Sequence, residues 1–227
     1  MSMDRKEPLF KNPIESNDGL SIDDLNKYLP AINKIEDLSM TANQMRDGVF
    51  LGLAIDGIKK IPNDSIDIII TEPPESPSQN INDSRKPITI QKYFEWNKNW
   101  LKESSRILKQ TGGIYLICGW KHSGMYQSLL NSFFKIQTRI TWRNSSPKDQ
   151  TSPLTWINRT SDIWYATKSD EFMFNQEAVT DETNNAKSNG PLELGVTNLW
   201  SDIMDIQIGS TIKMEGDKPE QLIQRIL

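Results

Sequence analysis

Glu72-Pro73-Pro74-Glu75 is the stretch where chemistry is most easily written, with two carboxylates three residues apart around a double proline. Paired carboxylates can do acid/base work when a companion group shares the proton transfers. The chain offers one histidine, His122, and one cysteine, Cys118, which argues against a His-based metal site or a Ser-His-Asp triad. Taken alone, the two acids read better as a solvated or partner-facing loop. Cys118 closes an apolar run and reads as a small core residue. His122 sits at an expected helix start and reads as a surface residue. The tryptophans read mainly as core and interface residues. Trp156, in a polar loop, is the exception.

The elements that must position the prolines come next. Ile66–Ile70 is a short β-branched run and predicts a buried strand, stopped by prolines that cannot continue a ladder. In doubly wound sheets chemistry sits just beyond the carboxyl ends of strands, where this loop falls. Upstream, residues 1–20 read as an arm, and Ser21–Asp24 has the form of a capping box for a short helix to about Ile32. Gly48–Leu51 predicts a strand and Leu53–Ile61 a helix. Downstream, residues 76–89 read as a loop. Ile90–Leu108 predicts an amphipathic helix with Tyr93, Trp96, Trp100, Ile107 and Leu108 inward, ended by Thr111-Gly112-Gly113. Ile114–Cys118 predicts a second buried strand, Met125–Phe133 a helix, and Phe134–Trp142 and Asp162–Thr167 two further strands. Pro219 opens a last helix, Glu220–Leu227. This rhythm implies an α/β fold with a mostly parallel sheet flanked by helices. The expected division is an arm over 1–45 and a domain over 46–227.

At 227 residues and a net charge of −4, the composition is that of a globular protein with a sizeable core. It excludes a protein that coats nucleic acid by charge alone. No apolar run reaches the roughly 18 residues of a membrane span. The expectation is an intracellular protein, nuclear in a eukaryote and cytoplasmic in a prokaryote. Charge is unevenly spread. Lys135, Arg139, Arg143, Lys148, Arg159 and Lys168 outweigh Asp149 and Asp162, a local net of +4. Residues 170–215 carry nine acids against two bases and suit a basic partner better than nucleic acid.

From Gly48 to Leu227 the chain resembles the β-ordered class of DNA amino-methyltransferases, which act on adenine N6 or cytosine N4. The resemblance rests on an ordered series. It runs through Leu51-Gly52, Pro62–Ile70 leading into Pro73-Pro74, Tyr93–Gly113, Cys118-Gly119-Trp120, Ile140–Trp142, Asp162–Lys168, Asn198–Trp200 and Lys218-Pro219. It implies a Rossmann-like fold of the S-adenosylmethionine-dependent methyltransferase type, with Glu72–Glu75 at the catalytic-loop position. That loop normally reads Asp, Asn or Ser, then Pro-Pro, then an aromatic residue. Here both chemical ends are changed.

What the resemblance implies is therefore a degenerate member, like the non-catalytic subunit of heterodimeric adenine methyltransferases. An active partner subunit would carry S-adenosylmethionine, with none in this chain. The cofactor side also departs: Gly52 is followed by Leu53 where the family commonly has Asp, and Met214–Asp217 replaces a His-Pro-Thr-Gln run. The family's glycine-rich cofactor loop would lie past Leu227. Lys135, Arg139, Arg143, Lys148 and Arg159 fall where the family holds nucleic acid, here expected to be DNA. The rival expectation is an active adenine-N6 or cytosine-N4 enzyme with a variant loop.

Overall fold

The computed structural model describes residues 22–35, 45–46, 48–74, 89–144, 156–175, 197–203 and 219–227. Two compact units divide the chain, one holding the described residues up to Pro62 and the other those from Asn63 onward.

In the first unit, helix α1 (Ile22–Tyr28) passes through a 3-10 turn, Leu29–Ala31, into strand β1 (Ile32–Lys34). The helix stops earlier than its sequence predicts because Pro30 disfavours a further α-helical residue before it. Strand β1 pairs in parallel with β2 (Val49–Leu51), and helix α2 (Ala54–Lys60) follows. Ile35 is the buried centre of this unit. It lies so close to Gly52 that a Cβ there would fall 2.6 Å from Ile35 Cδ1.

The second unit is a five-stranded sheet with the order β3-β4-β6-β5-β7. Its strands are β3 (Ile66–Thr71), β4 (Leu108–Cys118), β5 (Lys135–Arg143), β6 (Thr160–Thr167) and β7 (Leu199–Trp200). The sheet is mixed. Strand β6 runs against its neighbours β4 and β5, while β3 pairs in parallel with β4 and β7 with β5. Four of these five strands thus share one direction. Their carboxyl ends line one rim, together with the start of β6.

Three helices complete the unit: α3 (Ile90–Ile107), α4 (Trp120–Phe133) and α5 (Glu220–Ile226). Thr89 caps α3 by accepting from the Lys92 amide at 3.3 Å. On one sheet face Tyr115, Ile117, Ile163, Ile140 and Trp142 pack with Leu222 and Ile226 of α5. Trp142 is fully buried and donates its indole N–H to the Ile203 carbonyl at 2.9 Å, so its polar atom is satisfied in the core. Alternation sends Trp164 to the other face. There its indole N–H meets Ser123 Oγ of α4 at 3.1 Å.

In this unit two helix boundaries differ from the sequence expectation. Helix α3 runs directly into β4 at Leu108, and Thr111-Gly112-Gly113 lies inside that strand instead of ending the helix. The register jumps between Ile66↔Leu108 and Ile68↔Gly113, which marks a bulge. Gly112 permits it, since a Cβ there would sit 2.8 Å from the Asp67 carbonyl oxygen. Helix α4 begins at Trp120 and not at Met125. Its N-cap, Gly119, has no side chain to announce a start.

Candidate functional site

Strand β3 delivers Glu72, Pro73 and Pro74 to the carboxyl rim of the sheet. The register Thr71↔Leu116 sets them beside the end of β4, just before Gly119 and Trp120. Glu72 is exposed, Pro73 is buried, and Pro74 is partly buried. Glu75 lies outside the described residues.

The loop rests on a buried polar network that sequence reasoning did not find. The Tyr93 hydroxyl donates to the Pro74 carbonyl. It also lies 2.9 Å from the Tyr126 hydroxyl of α4, which donates to Asn97 Oδ1 at 3.1 Å. Asn97 Oδ1 accepts the Trp100 indole N–H at 2.9 Å, and Asn97 Nδ2 donates to the Tyr93 carbonyl at 2.9 Å. Tyr93 and Asn97 are fully inaccessible to solvent. The sequence signal is the spacing: residues 93, 97 and 100 share the inward face of α3 at i, i+4 and i+7, with an amide in the middle of an apolar stripe. Burial pushes the Tyr126 hydroxyl well above the ordinary tyrosine range, and the Tyr93 hydroxyl beside it acts in the same direction. It therefore stays a protonated donor.

His122 joins this cluster. Its ring centroid lies 5.4 Å from that of Tyr93, and the Trp96 ring stacks on the same tyrosine at 6.2 Å. Read from sequence as a surface residue, His122 is partly buried because α4 begins a turn earlier than expected and carries it inward.

The basic residues separate into groups. Lys135, at the start of β5, lies at the opposite end of the sheet from the Pro-Pro loop and is paired with Asp170. Arg139 is mid-strand and reaches Asp162 at 3.8 Å. Arg143 is exposed at the carboxyl end of β5, opposite Thr160. Arg159, also exposed, is held at the same end by the Asn144 amide donating to its carbonyl at 2.8 Å. Lys148 lies outside the described residues. The rim thus brings together Glu72, Pro73 and Pro74 with Arg143 and Arg159, and leaves Lys135 apart.

At the end of β2, where the resemblance leads to an acidic residue, the chain has Leu53. Leu53 caps α2 without any side-chain hydrogen bond and is 61% exposed. Its alkyl chain offers no hydrogen-bond acceptor to an amino or hydroxyl group. Met214–Asp217 lies outside the described residues. Among those residues no group of His, Cys, Asp and Glu is placed to hold a metal ion. No helix among them is long and apolar enough to cross a membrane.

Comparison with known proteins agrees with this architecture. The N6/N4 DNA methylase family model matches residues 66–227. Among curated proteins, the chain is 36% identical to the type II methyltransferase M.HpaI of Haemophilus parainfluenzae over 39% of its own length and 29% of that protein's. It is 31% identical to M.MjaVI of Methanocaldococcus jannaschii, over 40% of this chain and 52% of that one. The matched stretches thus span about half or less of these two relatives. Among solved structures, the cytosine-N4-specific PvuII DNA methyltransferase superposes with a TM-score of 0.56 at 17% identity, covering 78% of this chain and 67% of that one. The Thermus thermophilus protein TTHA0409, complexed with S-adenosyl-L-methionine, gives 0.52 at 14% identity, with 78% and 71% covered. The fold is thereby that of S-adenosylmethionine-dependent methyltransferases.

Proposed function

Because this chain belongs to the N6/N4 DNA methylase family, we propose that it is a catalytically degenerate adenine-N6-methyltransferase-like subunit. It supports an active, S-adenosylmethionine-dependent partner in a heterodimer or larger complex and helps hold DNA. Such work would be nuclear in a eukaryote and cytoplasmic in a prokaryote.

One observation carries the reading: the loop's scaffold is kept while its chemical ends are changed. Pro73 is buried and the Pro74 carbonyl is engaged by Tyr93, yet glutamates flank the prolines. An enzyme of this kind takes the target base out of the stack and reads it in a pocket. The acidic residue and a proline carbonyl would accept hydrogen bonds from the exocyclic amine and orient its lone pair. Such groups need placement within roughly 0.5 Å, and Glu72 carries its carboxylate one methylene further out than Asp. At Glu75 an aromatic wall worth roughly 1–3 kcal/mol per stacked base is replaced by a charge that would have to be desolvated.

The test is made on assembled complexes. Glu72→Ala should leave the methylation rate within a few-fold of the original, whereas removing the acidic residue of the partner's loop should abolish it. A fall of about a hundredfold or more on Glu72→Ala, the size of a positioned acid/base group, with assembly unchanged, would make this chain the enzyme. That second reading, an active methyltransferase with a variant loop, is favoured by the retained carboxylate at Glu72.

A further inference from the structure

Trp156 is 96% exposed and its neighbour Ile157 is 61% exposed. A single surface hydrophobe needs no explanation. Here the largest apolar side chain stands almost fully in water next in sequence to a β-branched one that is more than half exposed, on a segment that is tied down. Asn158 Oδ1 accepts from both the amide and the hydroxyl of Thr160 at 3.2 Å, which fixes a local Asx turn. One residue on, the Arg159 carbonyl accepts from the Asn144 amide. The pair is thus presented outward from the head of β6.

The electrostatic setting is positive. Arg159 follows Ile157 by two residues, and Arg143 stands opposite Thr160 at the end of β5. The acid nearest in the register, Asp162, faces Arg139. The location is the same carboxyl rim that carries Glu72, Pro73 and Pro74. Three strand spacings separate β3 from β5, about 14 Å at roughly 4.8 Å each. A nucleic-acid strand advances about 3.4 Å per nucleotide, so about four steps would bridge the loop and Arg143, and about three the loop and Arg159, which precedes β6 only two spacings away.

We propose that Trp156 and Ile157 form an apolar wedge that stacks against a DNA base near the target site, with Arg143 and Arg159 on the flanking phosphates. Flat apolar surface between cations matches the alternation of base faces and phosphates, and aromatic stacking of this kind is tolerant of sequence. The inference rests on the DNA-holding part of the proposed function and assigns that role to particular side chains.

The experiment measures binding of the 227-residue chain to a short fluorescein-labelled DNA duplex by anisotropy, over a series of salt concentrations. Trp156→Ala should weaken binding about tenfold, the size of one lost base stack, without changing the salt slope. Trp156→Phe should keep most of the affinity. Arg143→Ala and Arg159→Ala should each lower the slope by about one phosphate. Circular dichroism of each variant shows that it is folded, as expected for exposed positions. Wild-type affinity in Trp156→Ala would overturn the wedge and leave the DNA-holding role standing. An equal loss in Trp156→Phe and Trp156→Ala would also overturn it, because stacking would not be what was lost. No binding by the wild-type chain would overturn the DNA-holding role itself.

Discussion

Replacing Tyr93 by phenylalanine removes one oxygen, and with it the donor to the Pro74 carbonyl and a neighbour of the Tyr126 hydroxyl. A buried polar group left without a partner costs about 1–3 kcal/mol, so Tyr93→Phe should lower the urea unfolding free energy by that amount. Tyr126→Phe should cost less when added to it than when made alone, because the two hydroxyls belong to one network. Additive losses in the double-mutant cycle would show that the two act independently. This part of the site was hidden in the sequence for a physical reason. Tyr93 and Pro74 are nineteen residues apart, and a hydroxyl-to-carbonyl bond leaves no pattern in composition or periodicity. The prolines were legible because their chemistry is local: they end a strand wherever they stand.

At the scale of elements, helix α5 is fixed to the segment after β7 by Arg225, whose guanidinium grips the Asp202 carboxylate at 2.9 and 2.6 Å. The same guanidinium lies 5.4 Å from the Trp200 ring centroid. The Arg225 hydrogen bonds hold the Asp202 carboxyl below its ordinary value of 3.8. A depressed folded-state value means the stabilisation is present above the unfolded carboxylate's value and is lost as pH falls through the folded one. Asp202→Asn should therefore destabilise the protein at neutral pH by about 1 kcal/mol, a modest figure because the carboxylate is half exposed. The wild-type and variant stability curves, measured by urea titration, should converge in acid. Strand β4 was readable because a strand buried on both faces appears as an unbroken apolar run, whereas β3, expected to be buried, is only partly so because it is the outermost described strand of its sheet. The bulge at Gly112 was not, since its cause is the carbonyl of Asp67 on a neighbouring strand. Helix α4 was read late because Gly119 carries no capping group.

For the molecule as a whole, the shared direction of β3, β4 and β5 decides which charges can act together. Net charge is −4, yet Arg143 and Arg159 lie on the rim of the Pro-Pro loop, and Lys135 lies beyond reach at the far end of β5. The sequence grouped all of them because charge counting carries no strand polarity. With Leu53 where the resemblance leads to an acidic residue, isothermal titration of this chain with S-adenosylmethionine is expected to show no binding in the micromolar range. A micromolar dissociation constant would overturn that expectation. The position of β3 has a further consequence, for behaviour in the test tube. Among the described residues it is the outermost strand of the five, and most of its residues are isoleucine. An apolar strand at the margin of a sheet is a template for unwanted self-association, and a charge in its middle is a common defence. Asp67 is that charge, exposed and paired with Lys109 at 2.7 Å. Asp67→Val would leave the fold's interior untouched while erasing the defence. The variant should scatter light and precipitate during concentration under conditions where the parent stays clear.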